Sequence, residues 1–271
     1  MRKLSALGLS TFVLFFSFHM VFAEEEEFTY EKAYQDYVYM TDLYQDAHGE
    51  YLLAKAQYSQ AQTLTSQSKA QLATVNMLAA RDDVVITYLR ALRMRLLEED
   101  AVDIQAKNSL FARIDADIAW FENHKDTIPS AGTLNDLESD SEEAYDRFMF
   151  TQRLTYETLS LIPYYKLKST REDMTAVLNE TKGKIQEIRQ KGDHDVAFAE
   201  RWVLETENKL IRALDKEVEA QNLVFQIQSQ SSRETGKSQY ENVLTHLLEA
   251  NQYLREANSY MIEIIKQIKT K

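Results

Sequence analysis

Residues 30–61 read YEKAYQDYVYMTDLYQDAHGEYLLAKAQYSQA, and within them tyrosine returns at every seventh position: Tyr30, Tyr37, Tyr44, Tyr51 and Tyr58. Three residues after each stands a small or flexible apolar side chain, Ala33, Met40, Ala47, Ala54 or Ala61. A seven-residue repeat places both sets on one face of an α-helix, with tyrosine at position a and mostly alanine at position d. Such a seam alternates a bulky ring with a shallow gap, and the gap makes sense only where another helix fills it. We therefore read the five tyrosines as a packing seam, in preference to a row of rings stacked on a sugar polymer.

The same register carries forward through Leu72, Val75, Ala79, Ile86, Leu89 and Leu96, interrupted at Asp82 and Arg93. The polar stretch from Gln62 to Gln71 holds no glycine or proline to force a turn. This predicts one helix from about Phe28 to about Glu99, some 105 Å long at about 1.5 Å per residue. A second stripe, Leu78, Val85 and Leu92, lies off that seam and marks the alternative, two helices broken near Thr65.

At the other end of the chain the heptads are the most regular. Tyr240, Leu247, Leu254, Met261 and Ile268 occupy position a, with Val243, Ala250, Ala257 and Ile264 at d. Large a and small d recur here as in the tyrosine stretch, so the first and last helices are expected to pack together, antiparallel, with Leu247, Leu254 and Met261 on the shared seam.

Between these ends, Asp103 opens a helix running to about His124, with Leu110, Ile114, Ile118 and Phe121 on one face. Pro129 and Gly132 predict a loop near 128–133. The next helix starts near Thr133 or Asn135 and meets Pro163, where a kink or short break is expected. Turns follow near 191–194, at Gly192, and near 229–237, before a capping box spelled by Ser238 and Glu241. A heptad stripe of Leu204, Ile211, Val218 and Phe225, flanked by Val203, Leu210 and Leu214, lies between those turns. Six glycines and two prolines in 271 residues suit helices and little else. The fold class is all-α: an elongated bundle of long antiparallel helices with coiled-coil-like heptad packing.

Residues 1–23 have the order of a signal peptide, with Arg2 and Lys3, an apolar core through Leu14, Phe15 and Phe16, then Val21-Phe22-Ala23. The competing reading is an uncleaved anchor, since the apolar run can just span a bilayer. Residues 24–271 then form a single elongated helical domain, with no later membrane insertion. The net charge of −12 becomes more negative by two when Arg2 and Lys3 leave, and such a chain repels phosphate backbones, so nucleic acid is not an expected partner. The absence of cysteine excludes disulfides, thiol chemistry and a lipid-modified cysteine.

Catalytic motifs are missing: there is no Gly-x-Ser-x-Gly and no glycine-rich phosphate loop. His246 and Glu249 form an i, i+3 pair, but in the reverse order of di-iron carboxylate sites and without a second pair. His194 between Asp193 and Asp195 reads as capping chemistry, and Asp136, Glu138, Asp140 and Glu142 as an acidic helix start lacking the glycine and glutamate of a calcium loop. No metal or cofactor is expected, and no enzymatic activity. The expectation is an extracytoplasmic scaffold or adaptor of the cell envelope, acting through a protein partner or self-association. A holdase-type chaperone and a cell-wall glycan binder are the alternatives.

Overall fold

A computed structural model describes residues 28–192, 196–229 and 233–269, and the proposed signal peptide, His194 and its two aspartates lie outside them. Among the described residues the chain is an all-α bundle with no strand: α1 (Tyr30–Gln60), α2 (Leu64–Leu97), α3 (Ile104–Thr127), a short 3-10 turn (Ile128–Ser130), α4 (Leu134–Lys191), α5 (Ala197–Ser229) and α6 (Arg233–Lys269).

The tyrosine stretch forms its helix, but the chain does not continue straight into the next one. Helix α1 ends at Gln60 and α2 begins at Leu64, which overturns the single helix expected from Phe28 to Glu99. The reason is local. The Thr63 hydroxyl accepts the Ser66 backbone N–H at 3.1 Å while the Ser66 hydroxyl faces the Thr63 N–H at 3.0 Å, a capping box that starts a new helix without glycine or proline. The two helices then fold back on one another. Tyr37 meets Tyr88 edge-on at 5.3 Å between ring centroids, and the Tyr30 N–H donates to Glu98 Oε1 at 2.8 Å where the hairpin opens.

Because α2 turns back, the extrapolated seam is only partly right. Ile86, Leu89 and Leu96 are buried, Leu72 is 63% exposed, and the shifted stripe of Leu78, Val85 and Leu92 is buried as well. Helix α3, capped by the Asp103 carboxylate on the N–H groups of Gln105 and Ala106, runs antiparallel to α2 on its other side. Ion pairs Arg90–Glu122, Arg93–Asp115 and Lys125–Asp83 mark that register.

Helix α4 is the spine. It starts at a second capping box, Thr133 with Asp136, and its 58 residues span about 87 Å at the usual rise. Pro163 sits inside it without ending the helix, so the expected break does not occur. The first half of α4 packs on α2 and α3 around Leu89, Leu92, Ile114, Phe121 and Leu154. Its second half packs with α5 and α6 around Leu178, Val203, Ala213, Leu254 and Ala257. Gly192 closes the helix in the left-handed conformation, φ 71°, which glycine adopts without steric cost.

The two alanine-bearing seams do not meet. Leu247, Leu254 and Met261 are buried, as are Ala250, Ala257 and Ile264, but against α5 and α4; the extensive neighbour of α1 is α2. Each seam has taken the helix next to it in sequence, the partner with the shorter loop to close.

Helix α5 also presents a different face from the one expected. Val203 and Leu210 are buried, together with Ala199, Thr206, Ala213, Glu217, Ala220, Val224 and Ile227, whereas Leu204, Ile211, Val218 and Phe225 are 47–60% exposed on the outside. Helix α6 begins at Arg233, so Ser238 and Glu241 lie within it and are not its cap.

Candidate functional site

The five tyrosines are neither core nor surface. All are half-buried: one side packs toward α2, where Ala33 and Ala54 are the only buried residues of α1, and the other side is open. What four of them, Tyr37, Tyr44, Tyr51 and Tyr58, face is a groove. Helix α1 forms one wall and the first half of α4 the other, and α2, which packs on both, lies between them as the floor.

Three clefts lie along this groove. At one end Tyr51 and Tyr58 of α1 face Leu134, Leu137 and Glu138 of α4 over Met77 and Leu78, enclosing about 390 Å³. The middle cleft, about 230 Å³, has Tyr44 opposite Tyr145 and Phe148 over Arg81 and Val84. The far cleft, about 290 Å³, sets Tyr37 and Tyr88 against Phe148, Gln152 and Tyr156. Val84, Val85 and Phe148 line both of the last two, so these run into one another. The rungs from Tyr37 to Tyr58 cover about 31 Å, with about 10.5 Å between neighbours.

The far end is closed by aromatic packing. Tyr156 stacks on Tyr240 of α6 at 5.3 Å, and the Tyr88 hydroxyl is pushed up to about 12, chiefly by burial and then by the neighbouring Tyr37 phenol. Polar groups punctuate the lining: tyrosine hydroxyls, the Gln152 amide, the Thr155 hydroxyl, Lys55 and Glu138 in the first cleft, and the Arg81 guanidinium, whose Nη1 donates to Ser141 Oγ at 3.1 Å. Rings with a few oriented polar groups make a lining suited to binding.

Beneath the groove the bundle is pinned by buried polar pairs. His124 Nδ1 lies 2.5 Å from Asp82 Oδ2 and its Nε2 lies 3.0 Å from the Asp140 carbonyl. The carbonyl only accepts, so Nε2 carries a hydrogen and the remaining proton is held between Nδ1 and the carboxylate. Burial raises the Asp82 carboxyl above its ordinary range, although the His124 and Arg81 contacts pull the other way. Trp120 stacks on the His124 ring at 5.0 Å. Nearby, Asp117 takes Arg147 and the Thr151 hydroxyl, and Arg113 grips Glu157 with bonds of 2.8 and 2.7 Å. These pairs are closed off from the groove and hold α2, α3 and α4 together.

The His246–Glu249 pair gains a third group, the Glu219 carboxylate of α5, with ligand atoms within 4.8 Å of one another. Lys216 already lies 2.7 and 3.0 Å from Glu219 and Glu249, and these two hydrogen bonds hold its ammonium in the charged form, well above the usual lysine range. The acidic run Asp136, Glu138, Asp140 and Glu142 is the first turns of α4, with Asp136 in the capping box. Leu247, Leu254 and Met261 are remote from the groove, in the α5–α6 half.

Among the described residues no helix is long and apolar enough to cross a membrane. No family model matches the chain, and no curated protein or solved structure matches it.

Proposed function

We propose that the chain is an exported helical adaptor of the cell envelope, which works without catalysis by docking another polypeptide along the α1–α4 groove. The single observation that carries this reading is the groove itself: a row of mostly apolar clefts spread over about 31 Å and walled by tyrosines at a regular pitch. A trough between two helices with a third as its floor is the shape into which an amphipathic helix lays its apolar face. The leader-like residues 1–23 and the acidic composition support an extracytoplasmic setting and argue against nucleic acid.

Half-buried phenol rings at fixed spacing favour one second reading, a glycan strand stacked on the rungs. A photo-crosslinking residue in place of Tyr44, compared with one at the exposed Leu248 of α6, separates the two in the native envelope. The adaptor reading expects a defined polypeptide adduct from position 44 alone. An adduct removed by glycan-degrading enzymes supports the second reading, and identical adducts from both positions would contradict any groove-specific role.

A further inference from the structure

Resting on the docking reading above, the geometry points to the chemical class of the ligand: we infer that the groove takes a cationic amphipathic helix, one with an apolar stripe flanked by lysine or arginine. The argument comes from the α4 rim. Glu138, Glu142 and Asp146 follow one another at four-residue spacing along the ridge above the clefts, with Ser141 and Tyr145 between them. All three are exposed, and none has a hydrogen bond or ion pair among the described residues. Asp83 and Glu122 on the neighbouring helices, by contrast, are ion-paired, with Lys125 and Arg90. Three carboxylates aligned about 6 Å apart form a negative edge that a ligand cation can meet from solvent.

Pitch argues for a helix over an extended chain. Successive tyrosine rungs stand about 10.5 Å apart, which is seven residues of α-helix, so a heptad-spaced apolar stripe drops one large side chain into each gap. A strand advances about 3.3 Å per residue and alternates its faces, so its inward side chains fall every 6.6 Å or so and miss the gaps. On the α1 wall the charged side chain lining the clefts is Lys55, so the ligand's cations belong on the flank that faces α4.

The test uses three synthetic helices of about 22 residues, alike in their leucine stripe and bearing lysine, glutamine or glutamate on the flanks, titrated into the protein and read by fluorescence anisotropy. The lysine helix is expected to bind tightest. Joint Glu138→Gln, Glu142→Gln and Asp146→Asn is expected to weaken it roughly tenfold and remove its salt dependence, as three exposed pairs would, while leaving the glutamine helix unchanged. Circular dichroism of the triple variant confirms that it folds. If the lysine and glutamate helices bind equally and both lose binding on Tyr51→Ala, groove docking stands and the cationic ligand is wrong. If no helix binds, the docking reading itself falls.

Discussion

The two halves of the molecule share α4 and little else. Around its second half, α5 and α6 form a three-helix unit whose core is leucine, isoleucine, valine and alanine with one buried ring, Tyr164, and among the described side chains of α5 Thr206 and Glu217 are its buried polar residues. Around its first half, α2 and α3 bury Asp82, Asp117, His124 and Lys107, and α1 leans on α2 with only Ala33 and Ala54 buried. Helix α6, by contrast, buries a residue at nearly every a and d position from Val243 to Ile264. Where alanine fills the seam the helices close on one another, whereas the half built with tyrosine and polar pairs leaves a groove.

That contrast breaks most sharply at His124. Replacing it with alanine leaves the buried Asp82 carboxyl with Arg81 alone, at 3.3 Å, and a loss of about 3 kcal/mol is expected in urea unfolding. A loss below about 1 kcal/mol would mean that the polar pairs do not hold this half together. In the closed half, Leu254→Ala should cost about 2–5 kcal/mol by opening a cavity against α5, and here no change in peptide binding is expected. Tyr51→Ala should cost far less stability, about 1 kcal/mol, because one side of the ring already faces open space; its larger effect should fall on binding.

The pH dependence sharpens the same comparison. Asp82 is raised by burial, so its contribution to stability is complete below the unfolded carboxyl value and declines as pH rises through the raised folded value. The advantage of the wild type over Asp82→Asn should therefore shrink as pH rises above the unfolded carboxyl value of about 3.9. Glu256, on the surface of the other half, is lowered by its hydrogen bonds to Lys209 and Gln252, so its contribution has the opposite sign, present above the ordinary carboxyl range and lost on acidification. Exposure to solvent keeps that second effect small. Ile211→Ser on the outer face of α5 should change stability least, by under about 0.5 kcal/mol, in thermal unfolding.

Much of the architecture was legible in the residues. The α6 heptads, the Asp103 and Thr133 caps and Gly192 at the close of α4 all act locally, and local signals survive translation into structure. The break after Gln60 escaped because its capping box uses serine in place of glutamate or glutamine at the third helical position, in a stretch without glycine or proline. Helix α5 misled because periodicity locates a stripe but not the direction it faces; its core side holds Thr206, Ala213, Glu217 and Ala220, while the larger Leu204, Ile211, Val218 and Phe225 point outward. The groove had no sequence signal of its own. It arises where α1 and α4, far apart in the chain, both lie on α2 without closing on each other.

Hydrogen exchange of the protein, alone and with the lysine-flanked helix, tests that openness directly. Alone, α1 should exchange first and α6 last, since local opening follows buried contact. Adding the helix should slow exchange along α1 and the first half of α4 while leaving α5 and α6 as they were. Protection that appears on the outer face of α5, or α1 amides already as slow as those of α6, would contradict a groove held open for a ligand.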